Sequence, residues 1–121
     1  MQQGAALIGA ARKAQFATAI EYARGEQTVA LTATVGRSVF ELVDRDGFPI
    51  RSETRDYLFL AAELVLGGQL TTPQDGDVIR EPGGGDVYVH EVMAPGDEPN
   101  WRFSDAGRSL LRVHTKQTDV E

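Results

Sequence analysis

From Gln15 onward the chain alternates apolar residues with small or polar ones, the two-residue period of a half-buried strand. Phe16, Thr18, Ile20 and Tyr22 share one face, and after Arg24-Gly25-Glu26 a second run places Val29, Leu31, Ala33 and Val35 together. Two such runs about a glycine-bearing turn predict a hairpin, because glycine takes the positive φ that short turns require. Residues 38–44 and 48–60 flank Arg45-Asp46-Gly47, whose Asp-Gly pair predicts a second hairpin. Pro49 lacks a ladder donor and belongs at a strand start or an edge, and the polar run Arg51-Ser52-Glu53-Thr54-Arg55 reads as an exposed, extended arm. Residues 61–66 suit one helical turn ending at Gly67-Gly68, and Pro73-Gln74-Asp75-Gly76-Asp77 supplies a further turn. A third hairpin joins 77–80 to 87–92 through Glu81-Pro82-Gly83-Gly84-Gly85, a flexible tip. A proline-bounded loop, 95–99, leads to Trp101 and Phe103, the last strand is expected over 109–115, and 117–121 should form a flexible tail.

The N-terminus has a different period. Ala6, Leu7, Ala10 and Ala14 recur at helical spacing, so 1–14 is expected to be a short helical segment, weakened by Gly4 and Gly9. Its apolar stripe is too thin to be stable alone and should dock on its own sheet or on a neighbour. Six to eight strands at short, regular spacing after one short helix predict a mainly β fold: a small antiparallel β-barrel with projecting loops and arms. At 121 residues the chain is read as a single domain, 1–121, since two cores would each have too little to bury.

Composition narrows the function. Cysteine is absent, which removes disulfides, thiolate zinc sites and a cysteine nucleophile. The net charge is -6, and the ten arginines and two lysines never cluster in threes, which argues against gripping a phosphate backbone. An acidic surface does suit DNA sliding past without sticking. No signal peptide and no membrane span is expected, because no apolar run reaches about 20 residues.

No candidate chemistry rises above its ordinary explanation. His90 and His114 lie in separate predicted strands without a ligand signature and read as partly exposed strand histidines. Asp44-x-Asp46-Gly47 lacks the further ligands of a calcium loop and reads as turn chemistry. Asp56, Glu63, Asp75 and Asp77 could include an acid-base pair but read as solubilising charge at turns. Ser104, Asp105 and a histidine form no triad order, and Gly83 to Gly85 lacks the Lys-Ser or Lys-Thr of a phosphate loop. Neither enzymatic activity nor a cofactor is expected. Trp101, the single tryptophan, is either a lid over one end of the barrel or an anchor in a partner's pocket.

Taken in order, several segments resemble the head-tail joining, or head-closure and stopper, proteins of long-tailed bacteriophages. They are Tyr22-Ala23-Arg24-Gly25 with the Val29–Gly36 strand; Ser52-Glu53-Thr54-Arg55-Asp56-Tyr57-Leu58-Phe59; Leu64 to Gly68; Pro73-Gln74-Asp75-Gly76-Asp77-Val78-Ile79; and Tyr88-Val89-His90-Glu91-Val92. Trp101 to Asp105 and Leu111 to Lys116 complete the pattern over about 15–116. The resemblance implies a virion protein made in the bacterial host cytoplasm. It would form a homo-oligomeric ring between the portal or its adaptor and the tail, with packaged double-stranded DNA passing through and retained. A tail terminator, another neck ring of the same particle and a cellular β-barrel binding module are the alternatives. The segments expected to reach a neighbouring subunit or the channel are Arg45, Asp46, Gly47 and Phe48; Arg51, Glu53 and Arg55; Gly83, Gly84 and Gly85; and Trp101.

Overall fold

The computed structural model describes residues 17–121, so the expected helix over 1–14 lies outside the described residues. The elements are β1 (Ala17–Arg24), β2 (Gln27–Val43), β3 (Pro49–Leu60), a 3-10 turn (Ala61–Glu63), β4 (Val65–Leu66), β5 (Gln69–Leu70), β6 (Val78–Gly83), β7 (Asp86–Val92), β8 (Trp101–Phe103) and β9 (Leu110–Val120). The protein is mainly β. Six strands pair antiparallel in the order β3-β2-β1-β6-β7-β9, and β9 pairs back to β3, so the sheet closes into a ring. Closure removes the edges that an open sheet would expose to another chain. The short strand β8 pairs with β9 alongside Leu111 to Val113, in line with β7 on the same edge.

Alternation drives this arrangement. Ile20 and Tyr22 of β1, Leu31 and Ala33 of β2, Tyr57 and Phe59 of β3, Ile79 of β6, Val92 of β7 and Leu111 and Val113 of β9 form one buried cluster inside the ring. Leu64 and Leu66 of the short β4–β5 hairpin join it, and the Phe59 ring meets Tyr22 edge-on at 6.1 Å. Each large side chain so buried is worth about 1.5–3 kcal/mol.

Three features differ from the pattern-based expectation. The runs over 29–35 and 38–44 are one strand, β2, of 17 residues, because Gly36-Arg37 offers no turn chemistry and the ladder to β3 continues unbroken through it. The covered face changes at that point: odd positions are inward up to Val35, whereas Ser38, Phe40 and Leu42 are the half-buried ones beyond it. The third hairpin is longer than expected. Its strands reach Gly83 and Asp86 around Gly84 and Gly85, whose φ values of 62° and 88° make a two-residue turn, so the tip is regular. The tail expected to fray belongs to β9, since Gln117 to Val120 pair with β7 and Glu121 exchanges both backbone hydrogen bonds with Val87.

Candidate functional site

The ladder between β2 and β3 runs ten pairs, from Thr34–Leu58 to Val43–Pro49, while β9 covers β3 only from Arg55 to Leu60. The distal part of this hairpin therefore projects from the ring as an arm. Asp44 builds its tip: one carboxylate oxygen accepts the N–H groups of Asp46 at 2.9 Å and Phe48 at 2.8 Å, and Gly47 takes φ 85°. The Asp44-x-Asp46-Gly47 fragment thus shapes a turn. The tip and flanks carry exposed apolar side chains: Val43 at 71%, Phe48 at 66% and Ile50 at 47% exposure.

The base of the arm is braced from outside the ring. Residues 93–100 leave the sheet between β7 and β8 and return, anchored by backbone hydrogen bonds from Met93 N–H to His114 C=O and from His114 N–H to Asn100 C=O. This excursion lies against the arm: Pro95 is fully buried, and a Cβ on Gly96 would sit 2.6 Å from a Leu42 methyl. Beside it, three strands converge on one carboxylate. Asp56 of β3 accepts from Ser38 at 2.5 Å, Thr54 at 2.7 Å, Arg112 at 2.7 Å and His114 Nδ1 at 2.8 Å, and Phe40 packs edge-on to His114 at 5.4 Å. Burial alone would raise the Asp56 pKa, but these hydrogen bonds outweigh it and hold the group at about 2. Arg112 also donates to the Arg37 C=O at 2.9 Å, tying β9 to the point where β2 leaves the ring.

Two further polar clusters close the ring interior. At one end Asp77 accepts from the Tyr22 hydroxyl, from Arg24 Nε at 2.9 Å and Nη2 at 2.8 Å, and from the Gln74 N–H at 2.9 Å. Burial pushes the Asp77 pKa up, and the Arg24 and Tyr22 hydrogen bonds bring it net below the usual carboxylate range. At the arm end Glu81 accepts from the Tyr57 hydroxyl at 2.6 Å and from Arg55 at 2.8 Å and 2.9 Å. His90 Nδ1 lies 3.0 Å from the same hydroxyl, and burial together with Arg55 lowers its pKa. A hollow of about 190 Å³ opens here between Arg55, Glu81, Tyr88, His90 and Gln117.

The residues singled out from sequence divide accordingly. Arg45, Asp46, Gly47 and Phe48 form the arm tip, and Arg51 and Glu53 lie exposed along the arm, with Glu53 3.7 Å from Arg37. Arg55 lies in the mouth of the ring, paired to Glu81. Gly83, Gly84 and Gly85 sit at the same end as the arm, since β6 pairs with β1 in the direction that leads from Val78 towards the start of β1. Trp101 stands apart. It is half-buried on the ring wall, on the Val113 side of the sheet, and edge-on to Phe103 at 5.1 Å.

Four acidic candidates have separate surroundings: Asp56 and Asp77 are buried in the networks above, Asp75 accepts from Asn100 at 2.7 Å, and Glu63 lines a hollow beside Leu60. The reading of Asp56 and Asp77 as solubilising charge is thus corrected, and so is that of the histidines as partly exposed, at 2% for His90 and 3% for His114. Both errors share a cause: partners from distant strands, such as Tyr22 for Asp77, Tyr57 for His90 and His114 for Asp56, supply the compensation that burial of a polar group demands. Asp105 caps the turn before β9 by accepting from Ser109 and Leu110. Among the described residues no group of three or more histidine and acidic side chains is placed to hold a metal ion, and no helix is long and apolar enough to cross a membrane.

A closed sheet with its polar groups tied up internally and one braced hairpin projecting from it has the form of a structural protein with an arm. The chain belongs to the phage head-tail joining protein family, whose model matches residues 1–121. No curated protein matches it. Membership makes it a structural protein of the phage particle, of the connector type, interacting with other phage head and tail proteins.

Proposed function

We propose that the chain is the stopper, or head-completion, ring of the connector, joining the portal or its adaptor to the tail and helping to retain packaged DNA. Several copies form the ring, and double-stranded DNA passes through its centre without sequence-specific binding. The observation that carries this reading is the braced arm. Ten ladder pairs and the Asp56 network hold a hairpin rigidly away from the ring, with apolar side chains exposed at its tip. An exposed apolar tip of this kind is costly unless a partner covers it. The net charge of -6 suits a surface along which DNA slides. Chemistry is no part of the role, and no cofactor is required.

The test is removal of the arm. A phage whose chain has residues 40–51 replaced by a two-residue Asn-Gly turn is expected to fill heads, lose the DNA on storage and yield unjoined tails. Electron cryo-microscopy of wild-type particles should place the density between portal and tail tube. Normal joining and DNA retention with the shortened chain overturns the reading, and presence of the chain on free tails that never met a head would make the protein a tail terminator instead.

A further inference from the structure

The end of the ring opposite the arm carries a second apolar surface that none of the sequence candidates covers. Leu60, Val65 and Leu70 are exposed there, at 49%, 37% and 69%. Beside them lies a concavity of about 450 Å³ lined by Ala61, Leu70, Thr71, Thr72, Phe103, Arg108 and Leu111. A dry cavity of about 150 Å³ already accepts a benzene ring, so this hollow has room for an aromatic side chain. Arg108 lines it, its guanidinium 6.0 Å over the Phe103 ring, and among the described residues its side chain makes no hydrogen bond or ion pair, while its backbone N–H donates to the Asp105 C=O. Its φ of 56° is unusual for a residue with a side chain.

The arm tip has the complementary features. Phe48 is exposed there, and Asp46, two positions before it in the same turn, is exposed as well. Within one chain the two surfaces cannot meet, because Phe48 and Ala61 flank the two ends of β3, and that extended strand holds them roughly 40 Å apart at about 3.3 Å per residue. We propose that the arm tip of one copy docks into this concavity of the next, Phe48 entering the hollow and Asp46 pairing with Arg108. Two different patches on one chain make a heterologous contact, and such a contact repeats from subunit to subunit until the rotation closes a ring. The ring reading above is thereby given its joint, and the inference rests on that reading.

The absence of cysteine allows a clean test. Phage particles assembled with a chain carrying both Asp46→Cys and Arg108→Cys are treated with a short bismaleimide cross-linker and run on a denaturing gel. A ladder of dimers, trimers and higher multimers is expected, because each chain bears both halves of the joint and the linker spans the gap that the long arginine side chain had bridged. Either cysteine alone should give no ladder. Dimers from Asp46→Cys alone would mean a tip-to-tip contact, and a cross-link from Arg108→Cys to a different particle protein would mean a different occupant; both overturn the proposal. So does a missing ladder in particles that contain the chain at the neck, an outcome that leaves the stopper reading intact. Particles that join and keep DNA without any copy at the neck would remove that reading too. A charge exchange gives an independent readout: Asp46→Arg should cut incorporation about tenfold or more, and adding Arg108→Asp should restore it.

Discussion

The two ends of the ring interior are closed by the same three kinds of side chain: a tyrosine, a carboxylate and an arginine. Tyr22, Asp77 and Arg24 form one set, and Tyr57, Glu81 and Arg55 the other. The surroundings separate them. Asp77 is 3% exposed, takes a fourth hydrogen bond from the Gln74 N–H, and lies under the 71–77 segment, to which Arg24 also donates at Thr71 and the Thr72 C=O. At the other end Arg55 is 41% exposed, and a hollow lined by Tyr88, His90 and Gln117 remains open towards the arm. The same chemistry is a structural plug where a loop covers it and an accessible mouth where none of the described residues does. In a low-dielectric plug each member depends on the others, whereas water can replace a lost partner at the mouth.

The largest expected effect is at the sealed end. Asp77→Ala leaves the Tyr22 hydroxyl and Arg24 without their partner in a buried site and should cost about 3–5 kcal/mol, read as a lowered denaturant midpoint. An effect no larger than that of Glu81→Ala would erase the distinction between the two ends.

Acid titration comes next and separates regions by pH. A folded-state pKa held at about 2, against about 3.9 when unfolded, gives Asp56 about 2–3 kcal/mol of stability at neutral pH. That contribution is complete above about pH 4 and is lost as the pH falls towards 2. At the mouth, His90 has a lowered folded pKa, so the unfolded chain takes up its proton first and stability begins to fall below about pH 6.5. Denaturant midpoints across pH should therefore show two declines. His90→Gln should abolish the upper one and Asp56→Asn should shrink the lower, leaving the share that the depressed Asp77 contributes, and a lower decline of unchanged size in Asp56→Asn would refute the assignment.

A smaller effect belongs to Glu81. Its pair with Arg55 is partly exposed, so Glu81→Ala should cost only about 1 kcal/mol, with the melting temperature falling by a few degrees. The smallest is at the arm tip: Phe48→Ser should change stability by less than about 0.5 kcal/mol, because the side chain is already in water, yet it should impair assembly of particles. A marked loss of stability would show that the tip packs on its own chain.

The strands of this fold are legible in the chain because alternation is a local property. The Gly25 and Asp46-Gly47 turns, the polar arm over Arg51 to Arg55 and the closing β strand through Leu111 and Val113 all follow from residues within a few positions of one another. Gly36 shows the limit. Nothing beside it tells that the covered face changes there, with Phe40 packing on His114 and Leu42 on Gly96 of the 93–100 excursion, both more than fifty residues away. Trp101 is similar: its sequence position left lid and anchor open, and its place on the ring wall beside Phe103 comes from the pairing of β8 with β9.

By itself the sequence determined that the chain would be mainly β, where most of its turns fall, and which hairpin would be polar enough to project, since period, glycine and proline act through the local backbone. The tertiary structure alone decided that the strands close into a ring, that Asp56, Asp77, His90 and His114 are buried, and that the arm tip and the Leu70 concavity lie at opposite ends. The reason is physical: a buried charge is tolerable only where partners from distant strands surround it, and ring closure creates those surroundings only when every strand is in place.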